Sequence, residues 1–239
     1  AVVKEAGGFV VSEGVGMLAS EIVSAVLPVA NNIRLSYKQK RLERNVVEAL
    51  QIIQRKQDEL EDKIAKLQQN NSEYQRQIME AWLDNIVEEP QQSMVKYNTI
   101  GYVNLLKLDN TNQDIVLMFF KTLAQLSDLD IRVLKSYSYL GNDGESILDI
   151  CEDIQIDFYQ MRFIREKLER FGLLQSKNDE ISDNNLEEIV KYLQKLEKER
   201  RKSKPGDVKI PKLKKVSISD SYKITPLGRQ YLAMIEDQD

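Results

Sequence analysis

Histidine is absent from all 239 residues. With it go Ser/His/Asp and Cys/His nucleophilic machinery, histidine general bases and the ordinary zinc ligand sets. The single cysteine, Cys151, excludes an intramolecular disulfide and fits a reducing, cytoplasmic setting. In the apolar-patterned run ESILDICEDI it reads as a small buried hydrophobe rather than a reactive thiol. Only 10 glycines and 5 prolines interrupt a chain dominated by Leu, Ile, Glu, Lys and Gln, which favours helices over sheets. Long apolar runs are missing too. The most apolar stretch, residues 7–33, is broken by Glu13 and Glu21, and its longest uncharged run falls far short of the roughly 20 residues of a spanning helix.

Enough hydrophobic sequence is present, at 42%, to bury a core in one large domain or two ordinary ones. The net charge of −4 hides an asymmetry. Lys191 to Lys215 carries 11 Lys/Arg against three acids. A segment charge of +8 in a chain of −4 leaves −12 for the remainder, so a polyanion would be met locally.

At the amino end, Val11, Val15, Leu18, Ile22, Val26 and Val29 recur at helical spacing, and nearby glycines allow close backbone approach. The stretch lacks the basic start and small-residue cleavage site of a secretion signal. The expectation is a core or oligomer-interface helix. Insertion of residues 7–33 into a membrane, in an assembled state, is the alternative that small residues at close spacing leave open.

From Arg41 a long amphipathic helix is expected, with Val46, Ile53, Leu60 and Leu67 spaced by seven and Leu50, Gln57 and Ile64 in the companion positions. Val46, Leu50, Ile53, Leu60, Ile64 and Leu67 would form an oligomer interface if the helix makes a short coiled coil, or pack inside a bundle if it does not. SEYQRQIMEAWLDNIVEEP, with Trp82, Ile78 and Ile86 on its buried side, is stopped by Pro90. Two further helices follow, and the charge-free IVLMFF run in the second suggests burial all round. No phosphate loop, dinucleotide fingerprint or metal-ligand spacing occurs in this half. Its paired acids, such as Glu88 and Glu89, read as solvated faces.

Beyond Leu126 come LSDLDIRVLKSYSYL, ESILDICEDI and IDFYQMRFIREKLERFGLLQ, then YKITPLGRQYL at 222–232. This order resembles a winged helix-turn-helix. The resemblance implies that LERFGLLQ ends the recognition helix and opens the first wing strand, with Gly172 as helix C-cap. It implies that YKITPLGRQYL supplies the second strand and a closing helix. The stretch 177–221 is then an enlarged, basic wing, with a charged helix followed by a loop or extra strand in PGDVKIPKLKKVS. If Met161, Ile164 and Leu168 face the core, Phe158, Tyr159, Gln160, Arg162 and Phe163 are exposed. Base-edge readers present Arg, Asn, Gln or Ser there, so the aromatics suggest a protein contact. Phosphates would instead meet Arg200, Arg201, Lys202, Lys204, Lys209, Lys212, Lys214 and Lys215, without sequence preference. A solvated wing with no ligand is the plain alternative.

The Gly/Val-rich start, YKQKRLERNV, SEYQRQIMEAWLDNIVEEP, and LSDLDIRVLKSY leading to ITPLGRQYL also resemble, in layout, uncharacterised bacterial proteins of prophage and phage-defence loci. That resemblance implies an accessory role and transfers no active-site residue. The expectation is a mainly α protein, with a helical bundle or short coiled coil at 1–124 and a winged-helix domain at 125–239. It is expected to be non-enzymatic and without cofactor. Self-association is expected through the helical half, and recognition of duplex DNA or a protein partner through the winged helix, in regulation or phage defence. A membrane-active defence effector and a structural adaptor are the alternatives.

Overall fold

The computed structural model describes residues 13–32, 36–56, 60, 72–108, 112–138, 145–204, 206–217 and 221–237. It is mainly helical. Ten helices are found among these residues: α1 (Glu13–Asn32), α2 (Ser36–Arg55), α3 (Ser72–Val87), α4 (Gln92–Leu106), α5 (Gln113–Leu123), α6 (Asp128–Ser138), α7 (Ile147–Ile154), α8 (Phe158–Arg170), α9 (Lys177–Arg200) and α10 (Pro226–Ile235). One antiparallel pair joins β1 (Leu174–Ser176) to β2 (Tyr222–Ile224), with Leu174 opposite Ile224 and Ser176 opposite Tyr222. Two compact units result, 1–132 with 230–239 and 133–229. The first unit therefore extends a few residues past the expected boundary at 124 and also takes the chain's last ten residues.

The first unit packs α2, α3, α4 and α5 around Trp82, whose ring stacks on Tyr102 at 4.5 Å and 9° between planes. Leu18, Ile22 and Val26 of α1 are buried at i, i+4, i+8 spacing. Val11 and Ile33 lie outside the described residues. Among the described residues, no helix is long and apolar enough to cross a membrane.

The heptad stripe that begins on α2 is used within the chain: Val46, Leu50 and Ile53 of α2, and Leu60 beyond its end, are all buried in the single chain. Ile64 and Leu67 lie outside the described residues. The opposite edge of α2 clamps the end of α3. Asn45, fully buried, donates to the carbonyls of Ile86 (2.7 Å) and Glu89 (2.8 Å). Arg41 donates to the Glu88 carbonyl at 3.1 Å, and Lys38 pairs with the Glu88 carboxylate at 3.1 Å. Amide and cationic donors thus answer carbonyls that a helix C-terminus leaves open. Asn104 repeats the device on α10, donating to the carbonyls of Met234 and Glu236.

One expectation is corrected here. The IVLMFF helix is not buried all round: Val116, Phe119, Phe120 and Leu123 face inward at i, i+3, i+4, i+7, while Ile115 and Met118 are 54% and 50% exposed. Only one face of α5 has neighbours, whatever the polarity of the rest.

Candidate functional site

In the second unit two capping boxes set α7 and α8. Ser146 and Asp149 exchange side-chain-to-backbone bonds at the start of α7, and Asp157 and Gln160 do so at the start of α8. These bonds hold the Asp149 carboxyl below its usual range. Gln155, in the left-handed region at φ 53°, turns the chain between the two helices. Cys151 is half-buried on α7.

α8 ends in a Schellman motif, with Gly172 at φ 69°, its N–H donating to Glu169 O (2.8 Å) and the Leu173 N–H to Leu168 O (3.0 Å). Here the two distant sequence motifs meet. Thr225 donates from its hydroxyl to Gly172 O (2.6 Å) and from its N–H to Leu173 O (3.1 Å), while its Oγ1 accepts from the Gly228 N–H (2.9 Å). Pro226 begins α10, where its missing N–H costs nothing.

Met161, Ile164 and Leu168 of α8 are buried. Phe158, Tyr159 and Phe163 are 69%, 76% and 62% exposed, and the rings of Phe158 and Tyr159 meet edge to face at 5.9 Å. Gln160 is engaged in its capping box, and Arg162 pairs with Glu166 at 2.7 Å. Leu148, on α7, is 73% exposed. Residues 145–163 hold five acids (Glu145, Asp149, Glu152, Asp153 and Asp157) against one base, Arg162. Asp149 and Asp157 of these acids are engaged in the two capping boxes, and α8 itself also carries Arg165, Lys167 and Arg170. Arg165 lies over the rings of Tyr137 and Tyr222 at 5.9 and 5.8 Å. Burial raises the Tyr137 pKa, and the Arg165 charge opposes that rise.

α9 runs 24 residues from Lys177 with no buried side chain. The chain then returns along it as an extended strap, residues 206–217, with no regular strand of its own. Asn185 both donates to Lys214 O and accepts from Lys214 N, at 2.8 Å each; Asn178 does the same with Ser217 O (2.9 Å) and N (3.0 Å). Glu199 accepts from the Gly206 N–H at 3.1 Å. The spacing is physically matched. Seven helical residues rise about 10.5 Å, and three residues of extended chain span about 10 Å.

A period of three divides the strap into rows. Val208 and Pro211 are half-buried, and Lys214 and Ser217 are the positions clamped to α9. Lys209, Lys212 and Lys215 form a second row, all exposed. Ile210, Leu213 and Val216 form a third, at 78%, 48% and 51% exposure. The eight cations expected to meet phosphates are therefore dispersed. Arg200 to Lys204 cluster at the end of α9, where Arg201 pairs with Glu197 and Lys202 with Glu199 at 2.5 Å. Lys214 lies on the clamped row, and its charge helps Lys223 depress the Glu180 pKa. The residues missed by sequence reading are Asn178 and Asn185. Their seven-residue separation, beside the three-residue repeat of Lys and aliphatic positions, was the signal.

In the first unit, Ile52, Arg55, Lys56, Lys96, Ile100 and Asp237 line a cavity of about 180 Å³, with Asp237 paired to Lys56 at 2.6 Å. Among the described residues no group of three or more His, Cys, Asp or Glu could hold a metal ion. No family model, curated protein or solved structure matches the chain.

Proposed function

We propose that this chain is a non-enzymatic binding protein whose 133–229 unit, a winged-helix module with an enlarged wing, recognises a protein through α8. The observation that carries this reading is the exposure of Phe158, Tyr159 and Phe163 on one helix. A helix that reads base edges in a major groove presents Arg, Asn, Gln or Ser at these positions rather than aromatic rings. Large exposed aromatics are instead the side chains that anchor protein interfaces. The setting, regulation or phage defence, rests on the whole-chain resemblance.

A second reading, sequence-independent binding of duplex DNA by the wing, is favoured by the exposed row of Lys209, Lys212 and Lys215. Fluorescence anisotropy of a labelled duplex across a salt series tests both readings. Three proteins are compared: full-length chain, Phe158→Ser/Phe163→Ser, and Arg200→Glu/Arg201→Glu/Lys214→Glu/Lys215→Glu. The protein-partner reading expects at most weak, salt-sensitive binding that the helix variant leaves unchanged. Tight duplex binding lost in the helix variant overturns it.

A further inference from the structure

We infer that the cavity of the first unit is a binding site for a small, doubly charged oxyanion of the phosphate kind, and that the chain's own Asp237 carboxylate competes for it. The inference is independent of the protein-partner reading.

The walls come from three segments of one unit. Ile52 and Arg55 lie on α2 with Lys56 just past its end, Lys96 and Ile100 lie on α4, and Asp237 follows α10. Helix geometry brings the residues together. Lys96 and Ile100 are four apart on one face, and the Lys56 N–H still donates to Ile52 O at 3.3 Å, so that pair also stacks by one turn. The two isoleucines are 5% and 4% exposed, so core packing fixes the apolar part of the lining.

Three cations line the cavity with one carboxylate, an excess of two positive charges. Lys56 is the covered one. Only 11% of its side chain is exposed, and Asp237 supplies a counter-ion at 2.6 Å, as a charge so withdrawn from water requires. Backbone bonds bring that carboxylate in: Asn104 donates to Met234 O (2.9 Å) and Glu236 O (3.2 Å), which fixes the chain up to the residue before Asp237. Arg55 gives its Nε–H to Gln51 O at 3.3 Å. Among the described residues neither Arg55 nor Lys96 is paired with a carboxylate.

The charge and the volume together select the ligand. A cation is repelled, and a neutral molecule leaves the excess charge as it was. A dianion cancels it through charge-assisted hydrogen bonds. The volume of about 180 Å³ is close to the ~150 Å³ that holds a benzene ring, so a phosphate-sized ion enters whole and a nucleotide does not. Such an ion meets Arg55 and Lys96 and shares Lys56 with Asp237. Ion and carboxylate, being of like charge, oppose each other at that ammonium.

The test is isothermal titration calorimetry of inorganic phosphate into the full chain at about pH 8, where a phosphate carries close to two charges. Ionic strength is held at about 0.15 M with sodium chloride. The wild-type chain is compared with Arg55→Gln/Lys96→Gln, both exposed positions, and with Asp237→Asn. Thermal melting followed by Trp82 emission checks the fold of the first unit and gives a second readout for any variant that is destabilised. A bound ion raises the midpoint saturably, whereas the general salting effect of phosphate does not saturate and is common to all three proteins.

The wild-type chain is expected to bind phosphate with a dissociation constant on the order of 1 mM. Asp237→Asn is expected to bind about tenfold more tightly, because one like charge has left contact range, and Arg55→Gln/Lys96→Gln about tenfold or more weakly. Without phosphate Asp237→Asn melts below wild type, and added phosphate restores part of the difference. Absence of saturable binding by both wild type and Asp237→Asn overturns the inference, as does equal binding by all three proteins. Weaker binding by Asp237→Asn overturns it too, since the carboxylate would then support the ion instead of competing with it.

Discussion

Gly228 gives the sharpest prediction, because two physical terms disagree about its sign. It occupies the first turn of α10, and alanine in a helix is about 1 kcal/mol better than glycine on intrinsic propensity. A Cβ at this position would overlap the Leu173 carbonyl oxygen and come within 2.8 Å of Ile224 Cγ1 and 3.1 Å of the Leu173 carbonyl carbon. The obstacles are mostly backbone. The same carbonyl accepts from Thr225 N–H at 3.1 Å, so moving it weakens a bond worth about 1 kcal/mol and adds overpacking strain of about 1 to 3 kcal/mol. The clash wins. Gly228→Ala is expected to destabilise the 133–229 unit by a net ~2 kcal/mol. For a unit of this size that corresponds to a fall of about 8 to 16 °C in its melting midpoint.

Hydrogen exchange over 168–176 and 222–229 localises the loss of stability. Emission from Trp82, the one tryptophan, reports the first unit separately. Gly172→Ala is the internal comparison: its Cβ meets only Leu227 Cδ2 at 3.6 Å, but φ is +69°, a conformational cost of about 1 to 2 kcal/mol. A Gly228→Ala protein that melts at or above wild type would refute the reasoning, since propensity would then have prevailed over the close approach of Leu173.

Asn45→Ala removes the donor shared by the Ile86 and Glu89 carbonyls. It should cost the first unit about 2 to 3 kcal/mol, read as a lower urea midpoint by Trp82 emission, and an unchanged midpoint counts against the clamp. Asn178→Ala/Asn185→Ala removes four strap bonds. Trypsin should then cut after Lys209, Lys212 and Lys215 about tenfold faster or more, on the basis of about 1 kcal/mol per bond, with helix content little changed. Tyr102 and Tyr231 both have pKa values raised chiefly by burial. The folded state therefore keeps their protons more tightly than the unfolded state. Their contribution is complete below about pH 10, the unfolded value, and is lost as pH rises above it, at up to about 1.4 kcal/mol per pH unit for each. Tyr102→Phe should reduce the steepness of that alkaline loss in urea melts; an unaltered pH profile refutes the assignment.

Periodicity made much of the fold legible. Met161, Ile164 and Leu168 announce the inward face of α8, so Phe158, Tyr159 and Phe163 had to point out. Gly172 followed by two leucines marked the end of that helix and the strand after it. The heptad from Val46 to Leu60 was equally visible, but such a stripe has the same spacing whether it meets another chain or a neighbouring helix of its own. What stayed hidden was polar. Asn45 and Asn104 carry no period that ties them to their acceptors, since each bonds to a backbone distant in sequence, and the seven-residue spacing of Asn178 and Asn185 acquires meaning only beside the three-residue repeat of the strap. IVLMFF misled because hydrophobicity says what a helix tolerates against it, not how many neighbours the fold supplies. α9 begins at Lys177 because Ser176 serves as N-cap by accepting from Asp179 N–H at 3.1 Å.

The strap that lies along α9 behaves like a text with a reading frame. With rows repeating every three residues, an insertion or deletion of three between Val208 and Ser217 would keep lysine, aliphatic and helix-facing positions in phase. A change of one or two would rotate every later residue by a third of a turn and exchange one chemistry for another. Homologues of this chain should accordingly vary the strap's length in threes, while the loops at its two ends vary freely.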